Sequence, residues 1–197
     1  MDDKQISTIE YYDIHADKFI EGTINADMRS LVDNFLSYIE PGGLILDAGC
    51  GSGRDIRTFT ERGYKVDAFD ASKEMCRRAS AFSGIDVQHK SFADFDDVGR
   101  YDGIWASASL LHVERVNLPT ILQSLCEGLV DGGVLYLSFK YGDSDRVKDG
   151  RLFVDMNENT LIELINTTSL ELVNCFVTTD VRTDRCDEKW INAVVRK

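Results

Sequence analysis

Two prolines, three histidines and two tryptophans are all that this 197-residue chain contains, and several common signals are missing altogether. Histidines at 15, 89 and 112 are too few and too scattered for a His-rich metal cluster, so no metal is expected. The five cysteines (Cys50, Cys76, Cys126, Cys175, Cys186) are odd in number and never spaced C-x-x-C. That spacing argues against a disulfide framework or a zinc site and for a reducing cytoplasm. No apolar run approaches the ~20 residues that span a bilayer, so no membrane partner is expected. The opening MDDKQISTIEYYD is acidic and lacks an apolar segment, so no signal peptide is expected either. Basic patches are also absent. Arg146, Lys148 and Arg151 are interrupted by Asp145 and Asp149, and the formal net charge is −12, a field that repels phosphate backbones and disfavours nucleic acid. No repeat and no Pro/Gly/Ser-rich linker divides the chain, which is expected to form one domain over 1–197.

What is present alternates. Helical periodicity covers 5–20 and 27–39, where Met28, Leu31, Val32, Phe35, Leu36 and Ile39 recur at three- and four-residue steps until Pro41–Gly43. Strands are expected at 44–48, 64–70, 85–90, 101–108, 132–140, 170–178 and 188–196. Helices are expected at 54–63, after an N-cap at Ser72, at 118–129 and at 157–167. Residues 141–151 read as a polar loop. Strands alternating with helices imply βαβ units, a mainly parallel sheet covered on both faces, and a ligand beyond the carboxyl ends of the strands.

One such strand end reads LILDAGCGSGRD, residues 44–55. A dinucleotide fingerprint G-x-G-x-x-G starting at Gly49 requires glycine at 54, where Arg54 stands. The pattern is instead D-x-G-x-G-x-G, with Asp47, Gly49, Gly51 and Gly53. A pyrophosphate seeks bare N–H groups at a helix N-terminus, and an acid at its edge repels it. A ligand with an ammonium group and no phosphate welcomes that acid, and S-adenosylmethionine is such a ligand. Asp70, 21 residues beyond Gly49, ends the second strand where an acid binds ribose hydroxyls. Its other use, capping the next helix, is already served by Ser72.

Four stretches, LDAGCGSG (46–53), VDAFDAS (66–72), YDGIWASASLLHV (101–113) and LVDGGVLYLSF (129–139), together resemble the class I S-adenosylmethionine-dependent methyltransferases. The ending SFKYG…GRLF…DVRTDR…EKWIN is similar to small stand-alone bacterial members grouped with tellurite-resistance and ubiquinone-biosynthesis methyltransferases. The resemblance implies a three-layer α/β Rossmann-like fold with a seven-stranded, mostly parallel sheet whose last strand is antiparallel. It divides the domain into a helical lid or cap (1–40), a cofactor-binding core (41–140) and a substrate-side loop, helix and closing strands (141–197). S-adenosylmethionine is then the cofactor and S-adenosylhomocysteine its product. Asp47, Gly49, Cys50, Gly51 and Gly53 face its methionine part, Asp70 binds the ribose, and Ala71 and Met75 border the adenine. Ser91 takes the polar position near the adenine amino group, with Asp94 as the competing choice, and Phe92 packs on the ring. Ala106, Ser107 and Leu110 flank the sulfonium. Arg29 either pairs with the cofactor carboxylate or lies on a solvated helix face, and Tyr12, more than Tyr11, folds over the cofactor as a lid.

For the acceptor, the N/D/S-P-P-Y pattern used on base amines is missing from WASASLLH. The Pro-Cys nucleophile is also excluded, because neither Pro41 nor Pro119 precedes a cysteine. A small-molecule methyl acceptor remains. His112, Lys140, Tyr141, Arg146, Arg151, Phe153, Arg182 and Trp190 fall on its side, and so many cations in an acidic protein point to an anionic acceptor. Methyl transfer mainly needs positioning, so no catalytic residue is assigned; His112, Lys140 and Tyr12 are candidates. His112 is either a base or a helix-start residue bound to backbone. Lys140 and Arg151 either serve the site or pair with Asp143, Asp145 or Asp155, and Trp190 in an edge strand is either site or core. A thiol, selenide or telluride nucleophile needs no base. Two rivals stand: a non-catalytic S-adenosylmethionine-binding partner subunit, and a nicotinamide oxidoreductase, which Arg54 disfavours. The assembly is expected to be a monomer or homodimer.

Overall fold

The computed structural model describes residues 3–182 and 185–197; Met1 and Asp2 of the acidic start, and Thr183 and Asp184 of the DVRTDR ending, lie outside it. Strands β1 (Leu44–Ala48), β2 (Lys65–Asp70), β3 (Gln88–His89), β4 (Tyr101–Ala106) and β5 (Leu129–Lys140) pair in parallel. A hairpin, β6 (Asp145–Lys148) and β7 (Arg151–Val154), stands apart from them. The last two strands, β8 (Glu171–Thr179) and β9 (Lys189–Arg196), complete a seven-stranded sheet in the order β3-β2-β1-β4-β5-β9-β8. β9 runs antiparallel to both of its neighbours, as expected of the last strand. The edge belongs to β8, so Trp190 sits in an interior strand and not in the edge strand the sequence suggested.

The period-two alternation of buried strands divides the core into two layers. In β5, Leu135, Leu137 and Phe139 face one side with α6 (Leu118–Gly128) and α7 (Glu158–Ile165). Val134 and Tyr136 face the other side, with α3 (Arg29–Leu36), α4 (Arg54–Glu61) and α5 (Lys73–Ser83). Trp105 stacks on Tyr136 at 3.9 Å between ring centroids, and Phe35 of α3 packs on both. Burying each large side chain of this kind contributes about 1.5–3 kcal/mol. The second predicted helix, 27–39, therefore packs into the core through Val32, Phe35 and Leu36.

The N-terminal segment forms α1 (Asp3–Ile14) and α2 (Ala16–Thr23), which break the expected helix at His15. Hydrogen bonds at Ser7, Thr8 and Asp13 tie α1 down. Ser7 Oγ donates to Gly150 O at 2.8 Å, Thr8 Oγ1 accepts from Leu152 N at 3.0 Å, and Asp13 accepts from Ser72 Oγ at 2.6 Å and Glu74 N at 3.0 Å. Two of these anchors lie in the hairpin that replaces the predicted loop at 141–151. Its turn residues Asp149 and Gly150 have φ of +52° and +77°, the pair of positive values a two-residue type I′ turn requires. Among the described residues no helix is long and apolar enough to cross a membrane.

Candidate cofactor and acceptor site

The glycine turn follows β1 directly. Gly49 (φ +77°) has no room for a side chain, since a Cβ would stand 2.6 Å from Ser109 Cβ. Gly51 (φ +54°) faces only the Phe19 ring at 3.2 Å. Its N–H donates to Asp70 Oδ2 at 2.9 Å, and Ser72 N donates to Asp70 Oδ1 at 2.9 Å. Each carboxylate oxygen of Asp70 thus keeps a lone pair for a hydroxyl. Burial raises the pKa of Asp70 against the opposing pull of those N–H groups.

Asp47 is 3% exposed, and its Oδ2 has no hydrogen-bond partner. Burial first, then the nearby carboxylates Asp55 and Asp70, push its pKa well above the carboxylate range, with Arg54 opposing. A buried carboxylate oxygen without a donor is costly unless a cation completes it.

Two adjoining chambers open at this end of the sheet, of about 170 Å³ and about 120 Å³. The smaller is lined by Ile9, Asp70, Ala71, Ser72, Met75, Ser91 and Phe92. The larger runs from Asp47 and Cys50 across a polar floor of Ser107, Tyr136, Ser138, Lys140 and Asn192 to Asp180 and Trp190. Tyr12, Phe19, Gly49, Gly51, Ala108 and His112 line both, so these six mark where the chambers meet.

Most of the residues singled out in the sequence converge here, and a few do not. Arg29 is bonded to Asp27 (2.9 and 2.6 Å) with its side chain 78% exposed, away from both chambers, which is the solvated alternative. Ala106 and Leu110 point into the hydrophobic core, because strand and turn geometry turn Ser107, Ala108 and Leu111 to the chamber instead. Tyr141 bonds Glu158 at 2.9 Å at the surface, and Arg146 pairs with Asp155. Gly53 caps α4 in the left-handed region without lining a chamber, while Asp94 is spent on Ser91 Oγ at 2.6 Å.

Sequence reasoning missed Phe19, Ser138, Thr178 and Asn192 as lining residues, and saw Arg54 only as a missing glycine. Arg54 is a half-buried fork bound to Asp55 at 2.7 Å through two nitrogens and to Thr23 O at 3.2 Å, joining α4 to α2. The other Asp55 donor is Trp105 Nε1 at 2.9 Å. The period-two pattern of β4, β5 and β9 held the signal for the floor. Ser107, Ser138 and Asn192 continue the same faces as Trp105, Tyr136 and Val194 beyond the reach of α3.

Two clusters control the electrostatics. His112 Nδ1 lies 2.6 Å from Leu152 O, a group that only accepts, so Nδ1 carries the proton. Nε2 of the neutral ring then accepts from Tyr12 Oη at 2.8 Å. Burial holds the His112 pKa down at about 4 and pushes the Tyr12 phenol up to about 12; Arg151 lowers both. Arg151 stacks over Tyr11 at 4.1 Å, and its Nε has no acceptor.

At the far end Lys140 is 6% exposed and bonds Asp180 (3.1 Å) and Glu188, with Trp190 at 4.0 Å. Its partners are therefore not Asp143, Asp145 or Asp155, while Arg151 meets Asp149 at 3.5 Å. Burial opposes the charge of Asp180, but N–H groups of Arg182, Trp190 and Lys140 outweigh that and hold it far below the carboxylate range. Burial pushes the Cys50 thiol well up, so it is no nucleophile at neutral pH. Among the described residues no group of His, Cys, Asp or Glu side chains is arranged to hold a metal.

Residues 20–174 match a family described as a methyltransferase domain. An uncharacterized methyltransferase of Staphylococcus carnosus is 25% identical over 136 residues, 65% of this chain and 66% of that protein, just under two thirds of its length. Among solved structures, the 1,6-didemethyltoxoflavin-N1-methyltransferase of Burkholderia thailandensis, with bound 1,6-didemethyltoxoflavin and S-adenosylhomocysteine, superposes with a TM-score of 0.79. It shares 22% identity and covers 98% of this chain and 86% of its own. The magnesium protoporphyrin IX methyltransferase of Synechocystis PCC 6803, with bound S-adenosylmethionine, gives 0.74 at 18% identity, covering 100% and 98%.

Proposed function

The chain belongs to the methyltransferase-domain family, and we propose that it moves the methyl group of S-adenosylmethionine to a small anionic acceptor by in-line displacement. S-adenosylmethionine supplies a methyl group already activated by cationic sulfur. The residues therefore bind, orient and exclude water.

One observation carries this reading: the partnerless Oδ2 of buried Asp47, at the mouth of a glycine turn. An ammonium completes it by pairing with the carboxylate as its proton leaves, whereas a pyrophosphate, which seeks N–H donors, gains nothing from an acid at this position, and this favours the present cofactor over a dinucleotide. The residues fit the rest of the cofactor as well. Asp70 keeps lone pairs for two ribose hydroxyls, and Met75 and Phe92 give the smaller chamber an apolar lining suited to adenine.

The larger chamber is left for the acceptor. Five cationic side chains (Arg54, Lys140, Arg151, Arg182, Arg185) and three acids (Asp47, Asp55, Asp180) line it, a positive excess in a chain of net charge −12, which supports an anionic acceptor over nucleic acid. A cytoplasmic setting suits the five cysteines, none of which is paired.

Calorimetric titration with S-adenosylhomocysteine tests the donor site, with NAD and Asp70→Ala as controls. Micromolar binding lost in the variant, and no binding of NAD, is the expected result. Absence of binding to the unaltered protein sinks the proposal, and binding without turnover of any acceptor favours the partner-subunit alternative.

A further inference from the structure

The two chambers meet at Tyr12 and His112, so under the methyl-transfer reading, on which this inference rests, the pair stands where donor and acceptor come together. We infer that Tyr12 and His112 form a proton-accepting pair, and that the acceptor is a small aromatic acid whose attacking oxygen or nitrogen still carries its proton.

Three features point this way. First, the ring of His112 is oriented from behind: the backbone carbonyl of Leu152 in β7 fixes the proton on Nδ1 and leaves Nε2 as an acceptor toward the junction. A base held in one tautomer by a third group is the arrangement general-base catalysis requires. Second, the Tyr12 phenol spends its one proton on Nε2, so toward the chamber, beside Arg151, its oxygen can act only as an acceptor. Third, the junction is walled by rings, with Phe153 at 5.0 Å and Tyr12 at 5.5 Å from the His112 ring, and Phe19 at 5.1 Å from Tyr12. These rings touch one another and form a continuous apolar wall of the larger chamber, against which a flat acceptor can lie with its acid group toward the partly unsatisfied guanidinium of Arg151.

The charged and titratable groups that face the pair are few. Arg151 on β7 acts on both members, Asp70 at the end of β2 acts on Tyr12, and Tyr11 lies on the same helix.

The step balances as follows. A lone pair on the acceptor's oxygen or nitrogen forms the bond to the methyl carbon as the carbon–sulfur bond breaks onto sulfur. The acceptor's proton passes to Tyr12 Oη while the phenol's own proton passes to His112 Nε2. The imidazolium then releases that proton to water, beside the methylated acceptor and the neutral thioether. Weak basicity of His112 is no obstacle, because the acceptor atom becomes strongly acidic as its new bond forms.

The test combines spectroscopy with a matched panel. Nitrogen-15 NMR of the histidine side chains in the S-adenosylhomocysteine complex is expected to find His112 neutral and protonated on Nδ1 at pH 7; protonation on Nε2, or an imidazolium, overturns the proposal. Release of S-adenosylhomocysteine from S-adenosylmethionine is then followed with the hydroxy-, amino- and mercaptobenzoates.

Expected are turnover of hydroxy or amino acids at a rate flat above about pH 5.5 and a fall in kcat of about 100-fold or more in His112→Gln. The Tyr12→Phe variant, which keeps the ring packing, is expected to lose about tenfold, and KM to change little in either. With the hydroxy acids the residual rate of His112→Gln is expected to rise about tenfold per pH unit, as the phenol must ionise unaided, a response that a purely structural histidine does not produce. Turnover confined to mercapto acids, none with hydroxy or amino acids, or full rates in both variants overturns the proposal.

Calorimetry with S-adenosylhomocysteine separates the failures. If the unaltered protein does not bind it, the methyl-transfer reading fails first. If only His112→Gln has lost it, the kcat and pH profile of Tyr12→Phe decide.

Discussion

Tyr12 Oη and His112 Nε2, 100 residues apart in sequence, share a hydrogen bond of 2.8 Å that fastens α1 to the turn after β4. Burial requires the imidazole to be neutral, and the neutral ring satisfies both of its bonds, donating Nδ1–H to Leu152 O and accepting from the phenol at Nε2.

That requirement makes stability fall in acid. The folded His112 pKa of about 4 lies below the ordinary 6.5, so between those values the unfolded chain binds the extra proton. The contribution is whole above pH 6.5 and is lost as pH falls toward 4, up to about 3 kcal/mol. Urea denaturation of His112→Gln at pH 7.5 and pH 4 should therefore show a pH-dependent loss smaller by about that amount. An equal loss in both proteins contradicts a buried neutral imidazole.

Asp47 has the opposite sign. Its folded pKa is raised, so the folded chain keeps a proton that the unfolded one has released, and stability falls as pH rises through the ordinary carboxylate range toward the raised value. Asp47→Asn removes that loss and should stabilise the unliganded protein by about 1–3 kcal/mol at pH 7. Affinity for S-adenosylhomocysteine should fall by about 100-fold or more, because a buried partner of its ammonium is gone. Calorimetry and thermal unfolding read the two together; a variant that is weaker in both respects shows that Asp47 is a structural acid.

The glycine turn separates packing from binding. Gly49→Ala drives a Cβ to 2.6 Å from Ser109 Cβ at φ +77° and should cost about 2 kcal/mol or more of stability. Gly51→Ala meets only the Phe19 ring of α2, so it should cost about 1 kcal/mol through its φ of +54° alone. Its larger effect should be on S-adenosylhomocysteine affinity, since its methyl group projects between α2 and the turn. Equal losses of stability in the two variants refute this division.

The alternation of βαβ units and the D-x-G-x-G-x-G turn were readable because both rest on local physics: burial periodicity and positive φ. Ser72 accepts from Met75 N at 3.1 Å as the N-cap its position implied. The hairpin at 145–154 was overlooked although Asp149–Gly150 is a strong turn signal, because charged residues on both sides hide any apolar alternation. Side-chain partners across long separations had no local signature. Nothing near Lys140 in sequence names Asp180 and Glu188, and nothing near Arg29 excludes a role that its exposed bond to Asp27 removes.

Lys140 illustrates what such partners decide. It ends β5, Asp180 follows β8 and Glu188 precedes β9, so one buried ammonium joins the closing strands, and Asp180 N bonds Glu188 O at 2.8 Å alongside. Lys140→Met keeps the methylenes over Trp190 but removes a donor from a carboxylate whose side chain is 2% exposed. Breaking a buried pair from one side costs about 3 kcal/mol, equivalent to a fall of about 6–12 °C in Tm for a chain of this size. Affinity for S-adenosylhomocysteine should stay unchanged, because Asp47 and Asp70 lie at the other end of the site. If Lys140 were instead the catalytic base, the same variant would keep its Tm and lose its turnover, so one melting curve and one binding isotherm separate the clasp from the catalyst.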